Sequence, residues 1–221
     1  MRCVHGATIN LNSFGAMGFD AFSANVVDHI FTLCDGANSC PNSGSAATWL
    51  SETFSQAHPD TLDTQLKVRH AQLCALFPET GSTLLRLAAD DGGIHMASIG
   101  DSFLWLFQKP WGGFGPWRCI DQMPRDIDSK GHPTQLVGSE VCDILHESHH
   151  PPVGRYCAVM MSDGPGLSVS PAQLLERVAV LGRAEPQDHD LAYLCRSLAL
   201  QAQKSGCRDD ISVAIVWIHY Q

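Results

Sequence analysis

Apolar positions fall into two patterns along this chain. Three runs are nearly unbroken: Ile30-Phe31-Thr32-Leu33-Cys34, Ala158-Val159-Met160-Met161 and Ile211-Ser212-Val213-Ala214-Ile215-Val216. They read as buried strands. Elsewhere apolar residues recur at helical spacing. Ala46, Ala47, Leu50 and Phe54 predict a helix over 43–58, and Leu62, Leu66, Leu73 and Leu76 predict a second over 61–77, stopped by Pro78. Ser170-Pro171 opens a third helix that runs to 181, and Leu191, Leu194, Cys195 and Leu198 mark a fourth over 188–204, with Gly206 as its stop.

The remaining segments fill in strands and turns. Residues 5–34 alternate apolar and polar and predict two early strands with a turn near Gly15 and Gly18. Thr80-Gly-Ser-Thr83 leads into a strand through Leu87, and Asp91-Gly92-Gly93 is a hairpin turn. Strands over 95–100 and 102–108 meet at Gly100-Asp101, and the last strand covers 211–218. Residues 109–152 are rich in Pro and Gly and predict connections and edge strands, with short strands near 117–120 and 140–145 and a possible role as a flap. The order of strands and helix pairs predicts an α+β layered sandwich, and residues 1–221 read as one domain.

Composition narrows the function classes. With 14 basic and 23 acidic residues the net charge is −9, and no Lys/Arg-rich run is present, which argues against nucleic acid as a partner. No apolar run approaches the roughly 20 residues that span a bilayer, so no membrane segment is expected. Met-Arg-Cys-Val-His-Gly carries no signal-peptide core, and the expectation is a cytoplasmic protein. Among the nine cysteines, Cys34, Cys157 and Cys195 sit in apolar runs as small hydrophobes, and no paired spacing makes a zinc knuckle.

Four short acidic motifs stand beside strand-like runs: Gly-Phe-Asp20, Cys-Asp35-Gly36, Ser-Asp163-Gly164 and Arg-Asp209-Asp210. Any single Asp-Gly is more often a turn than a ligand. Several carboxylates at rigid strand ends point instead to one acidic centre suited to a hard divalent ion such as Mg²⁺ or Mn²⁺. Other candidates read more plainly. His146-Glu147-Ser-His149-His150 lacks the spacing of a helical His-Glu-x-x-His site and is expected in an exposed loop. The aromatic loop Trp111-Gly-Gly-Phe-Gly-Pro-Trp117 is a candidate partner-docking patch. There is no Gly-x-Ser-x-Gly elbow with Asp and His partners, no P-loop and no dinucleotide fingerprint.

Five blocks in order resemble the metal-dependent type 2C Ser/Thr protein phosphatases. They are Gly18-Phe-Asp20-Ala-Phe; Phe31-Thr-Leu-Cys-Asp35-Gly36; Gly81-Ser-Thr83 with Ala97-Ser-Ile-Gly-Asp101-Ser102; Met160-Met-Ser-Asp163-Gly164; and Asp209-Asp210-Ile-Ser-Val-Ala-Ile-Val. The resemblance spans nearly the whole chain. It implies a four-layer α/β/β/α sandwich, two mostly antiparallel sheets flanked by helix pairs, with two Mn²⁺ or Mg²⁺ ions in a cleft at one end. It implies that Asp35 bridges both ions, that the Gly36 carbonyl holds one, that Asp163 and Asp209 hold the other, that Asp20 supports the site and that Asp101 touches a third, weaker ion. Asp35, Asp163 and Asp209 then carry catalysis, in which a hydroxide held between the ions attacks a phosphoserine or phosphothreonine. The implied partners are a phosphoprotein substrate and a Ser/Thr kinase counterpart.

The chain departs from the family pattern in several places. The position of the phosphate-clamping arginine falls at Gly15 or its neighbours, and Arg2 is the only early arginine. Phe19 replaces an acid, Ala37 stands where some members carry a general-acid histidine, Asp210 replaces an asparagine, and Leu167 replaces the acid that follows Ser-Asp-Gly in many members. Two readings follow: an active phosphatase in which Arg125 or Arg155 takes over the clamp, or a pseudophosphatase that binds a phosphoprotein or partner without catalysis.

Overall fold

The computed structural model describes residues 2–12, 18–58, 61–110, 115–181 and 185–220, and among them ten strands and five helices, numbered here in chain order. One sheet has the order β1 (Arg2–Leu11), β10 (Ile211–Tyr220), β9 (Gly154–Met161), β6 (Phe103–Lys109), β7 (Arg118–Gln122). The other has the order β2 (Asp20–Asn25), β3 (Ile30–Asp35), β4 (Leu84–Ala89), β5 (Ile94–Ile99), β8 (His146–His150). All pairings are antiparallel. Helices α1 (Ser43–Phe54) and α2 (Leu62–Leu76) cover the second sheet, and α4 (Pro171–Leu181) and α5 (Asp188–Lys204) cover the first.

The apolar runs follow from this layering. Along β10, Val213, Ile215 and Trp217 face α5, while Ala214, Val216 and Ile218 face the opposite sheet. A central strand covered on both sides has no polar face to show, so it reads as a continuous hydrophobic run. Three apolar layers result: Leu33, Leu85, Leu106 and Met160 lie between the sheets; Trp105, Val159 and Leu194 lie under α4 and α5; Cys34, Leu50, Phe54 and Leu73 lie under α1 and α2. Each large side chain fully buried there contributes roughly 1.5–3 kcal/mol. The four-layer sandwich expected from the motifs is the observed architecture.

Several local expectations change. Residues 5–34 hold three strands, because a turn at Val26–His29, with His29 at φ 53°, splits the second run. The first two strands also join different sheets. The turn position Gly15 lies outside the described residues. No strand forms at 140–145. The strand is instead His146–His150, expected from its sequence to be an exposed loop, whose polar alternation suits the half-covered edge beside β5. A short helix, α3 (Asp163–Leu167), follows β9. In the aromatic loop, residues 111–114 lie outside the described residues, and Trp117 is 5% exposed and packs at a tilt against Trp217, ring centroids 5.0 Å apart, so it is core rather than a docking surface.

Three backbone segments cross closely beside the second sheet. Gly36 N–H donates to the Phe19 carbonyl at 3.0 Å, and α1 begins directly over both. A Cβ at Gly44, in the first turn of α1, would lie 2.3 Å from the Gly18 carbonyl oxygen. This crossing is what places Asp20 and Asp35 side by side at the start of β2 and the end of β3, where they pair in register.

Gly44→Ala should therefore reverse the usual sign. Replacing a helical glycine by alanine ordinarily stabilises by about 1 kcal/mol. Here the methyl group meets backbone, and a loss of about 1–3 kcal/mol is expected. A urea-midpoint measurement on the variant checks it, and a midpoint at or above that of the parent would show that the crossing is loose.

Candidate metal centre

The acidic motifs converge at one end of the sandwich. Asp35 ends β3; Asp101 sits in the turn between β5 and β6; Asp163 follows β9; Asp209 precedes β10. Asp35, Asp101, Asp163 and Asp209 all line one cleft of about 310 Å³, together with Gly36. Asp20 lies behind it, paired with Asp35 across the ladder and 7% exposed. All six residues singled out in the sequence thus gather in one place. An adjoining hollow shares Asn38, Asp163 and Asp209 and adds Leu167 and Arg208.

Backbone and hydroxyl groups fix these carboxylates. Thr83 N–H donates to the Asp35 carbonyl at 2.8 Å, and Asp35 N–H donates to Thr83 Oγ1 at 2.9 Å. Ser82 Oγ adds a bond to the same carbonyl at 3.1 Å, and Ser102 Oγ braces Thr83 at 2.8 Å. Asn38 Nδ2 donates to Asp209 Oδ1 at 2.8 Å. Asp210, fully buried, accepts the Phe19 N–H at 2.6 Å and so ties β10 to the segment that carries Asp20. The sequence marked Gly81-Ser-Thr83 and Gly-Asp-Ser102 only as matching blocks. Their hydroxyls hold Asp35, a role visible only when the hairpin is docked.

No family model and no curated protein matches this chain. Solved structures do. PppA of Pseudomonas aeruginosa, described as a key regulatory component of T6SS, superposes with a TM-score of 0.76 at 17% identity, covering 96% of each chain. The Mycobacterium tuberculosis serine/threonine phosphatase PstP/Ppp gives a TM-score of 0.70 at 18% identity over 96% of this chain and 97% of that one. The catalytic domain of PstP, solved with two manganese ions, gives 0.72 at 17% identity over 99% and 100%. This chain has the type 2C phosphatase fold.

Within that fold the donor set suits a hard divalent ion. Burial, then the neighbouring carboxylates of Asp20 and Asp163, hold the Asp35 carboxyl well above the usual range. Burial pushes Asp20 up to about 6, against the opposing pull of its bond with Asp35. Burial and the Asp163 charge push Asp101 to about 6, and burial and Asp209 raise Asp163. Asp20 Oδ2 is buried without a hydrogen-bond partner. Clustered carboxylates that resist ionisation, one with an orphaned oxygen, are what a cation would relieve. Among the described residues, no group of three or more His, Cys, Asp or Glu side chains stands close enough together to hold a metal ion.

The departures from the family pattern also find their places. Ala37 lines the cleft, and Gly15 lies outside the described residues. Of the two arginines considered for the clamp, Arg155 is excluded: it pairs with His219 and Lys109 at the far end of β9, on the order of 20 Å from Asp163. Arg125 is beside the site. Its Nε donates to the Asp101 carbonyl at 2.6 Å, its guanidinium lies 4.0 Å over the Phe103 ring, and it offsets the charges of Asp101 and Asp163. His132 also lines the cleft, on a loop pinned by Asp128 Oδ1, which accepts the Lys130 and His132 N–H groups at 2.7 and 3.0 Å. No hydrophobic periodicity marks its position. Only the Asp-Ser-Lys-Gly turn chemistry before it hinted at a fixed loop.

The raised carboxyls set a pH dependence for the metal-free protein. Above pH 3.8 the unfolded chain has lost protons that the folded chain keeps up to about pH 6 at Asp20 and Asp101, so the folded state binds more protons and stability falls as pH rises through 6. In EDTA, Tm at pH 5 should exceed Tm at pH 7.5 by about 5 °C. Asp101→Asn should shrink that gap by raising the value at pH 7.5. Calorimetry checks both, and an unchanged gap in the variant would mean that the cluster is not the source.

Proposed function

We propose that this chain is a divalent-metal-dependent phosphoprotein phosphatase acting on phosphoserine or phosphothreonine. The observation that carries the reading is the convergence of Asp35, Asp101, Asp163 and Asp209 on one cleft in the type 2C fold, with the Asp35, Asp101 and Asp163 carboxyls raised by burial and by neighbouring charge. Asp35 and the Gly36 carbonyl, with Asp163 and Asp209, would hold two Mn²⁺ or Mg²⁺ ions, and Asp101 a further, weaker one. Asp20 supports Asp35 from behind. Bound there, such ions act as Lewis acids on phosphoryl oxygens and make water nucleophilic near neutral pH.

The chain's own side chains account for the rest. Thr83, Ser82 and Asn38 keep Asp35 and Asp209 in fixed positions, which matters because misplacement by 1 Å costs about 100-fold in rate. Arg125 supplies positive charge beside Asp101 and Asp163, where a phosphate would dock, in place of the early arginine. His132, at the mouth of the cleft, is the side chain placed to give a proton to the leaving serine or threonine oxygen in place of Ala37.

Ala37 and the displaced clamp favour the second reading, a pseudophosphatase that binds a phosphoprotein without turnover. Hydrolysis of p-nitrophenyl phosphate separates the two. Turnover is expected with Mn²⁺, none in EDTA, and Asp163→Asn should lose at least 100-fold in kcat. Folded protein with no turnover above the variant would establish the binding role instead.

His132→Gln gives a finer expectation. General-acid catalysis matters for a poor leaving group and little for nitrophenolate. The variant should lose about 100-fold on a phosphothreonine peptide and less than threefold on p-nitrophenyl phosphate, both read as kcat. Equal losses on the two substrates would remove His132 from proton transfer.

A further inference from the structure

Asp126 lies outside the cleft lining and matches no motif, yet four hydrogen bonds meet on it. Its N–H donates to the Gly100 carbonyl at 2.8 Å, and its Oδ2 accepts the Gly100 N–H at 2.9 Å. Its carbonyl accepts the Thr134 N–H at 2.8 Å, and Oδ1 meets His146 Nε2 at 2.7 Å. Its side chain is 11% exposed. The preceding residue, Arg125, grips the Asp101 carbonyl. The Arg125-Asp126 dipeptide therefore holds the Gly100-Asp101 turn from both sides.

That turn has little freedom of its own. Gly100 has φ +92°, and a Cβ there would lie 2.8 Å from Thr83 Cγ2, the residue that pins Asp35. A shift of Gly100 would thus reach two of the candidate ligands. Asp126 and His146 also bracket residues 127–145, the segment that brings His132, Pro133 and Leu136 to the cleft mouth. The base of the flap and the Asp101 turn share one carboxylate.

We infer that Asp126, tied to His146, is a positioning residue that sets the placement of the Asp101 carboxylate and couples it to the flap. The inference rests on the phosphatase reading, because Asp101 is taken there as a metal ligand. No proton transfer is involved. Asp126 acts by accepting two donors in fixed directions, one from the turn and one from β8.

Mn²⁺ titration followed by electron paramagnetic resonance tests it without recourse to turnover, on the wild-type chain, Asp126→Ala, Asp126→Asn and His146→Ala. Asp126→Ala should bind Mn²⁺ about 10-fold more weakly, with kcat lowered and KM little changed. Asp126→Asn should recover most of the affinity, since its amide oxygen still accepts the Gly100 N–H. A merely structural role would lower the Tm measured in EDTA and leave the affinity of the folded protein untouched; wild-type affinity in Asp126→Ala overturns the inference. If Asp126→Ala does not fold, His146→Ala decides, with a threefold or greater loss of affinity in support and none against. Absence of Mn²⁺ binding by the wild-type chain would instead bring down the phosphatase reading, and this inference with it.

Discussion

Carboxylates crowded at the end of a β-sandwich repel one another, and that repulsion is the constraint around which the rest of the molecule is arranged. Asp20 and Asp35 face each other across a ladder, and burial together with the neighbouring carboxylates raises Asp35, Asp101 and Asp163. Left on flexible loops, such groups would move apart. They are held because each belongs to a strand end or turn anchored in an apolar layer, and because Thr83 Oγ1, which accepts the Asp35 N–H, and the donors Ser82 Oγ and Asn38 Nδ2 fix the backbone or the side chain beside it. Stability given up at this cluster is recovered in the three cores, where Trp105, Trp217, Leu33 and Leu50 are fully buried.

This division explains which features were legible in the sequence. Strands covered on both faces leave a continuous apolar signature, so β3, β9 and β10 stood out, and the Asp residues at their ends stood out with them. Helices α2 and α5 were legible because their buried leucines keep helical spacing and are punctuated by Pro78 and Gly206. Edge elements were not. β8 reads His-Glu-Ser-His-His, and only its pairing with β5 and its contacts to Asp121 and Asp126 make it a strand. The split of residues 20–35 into β2 and β3 depends on a turn whose residues carry no Gly or Pro.

The site was legible in the same uneven way. Ligand candidates on regular strands could be named from local motifs. In the irregular 109–152 region Arg125 could be named only alongside Arg155 and His132 not at all, because their meaning depends on contacts with no sequence proximity. Arg125 meets Asp101 over 24 positions, Asn38 meets Asp209 over 171, and His146 meets Asp126 over 20. Arg125 and Arg155 are equivalent as letters. Only strand direction separates them, since β9 carries Arg155 at its first end and leads to Asp163 at its last.

The sign of the cleft carries the argument one step further. Among the described residues, its lining has four aspartates and no lysine or arginine, and His132 is its one basic side chain. A phosphomonoester carries close to two negative charges near neutral pH and would be repelled from such a surface. Under the phosphatase reading, docking a phosphate would require these carboxylates to be neutralised first, and the single guanidinium charge of Arg125 is outnumbered by the four aspartates. The segment 127–145 supplies His132, Pro133 and Leu136 to the mouth of this acidic cleft, and Asp126 at its base also accepts the Gly100 N–H of the turn beneath it.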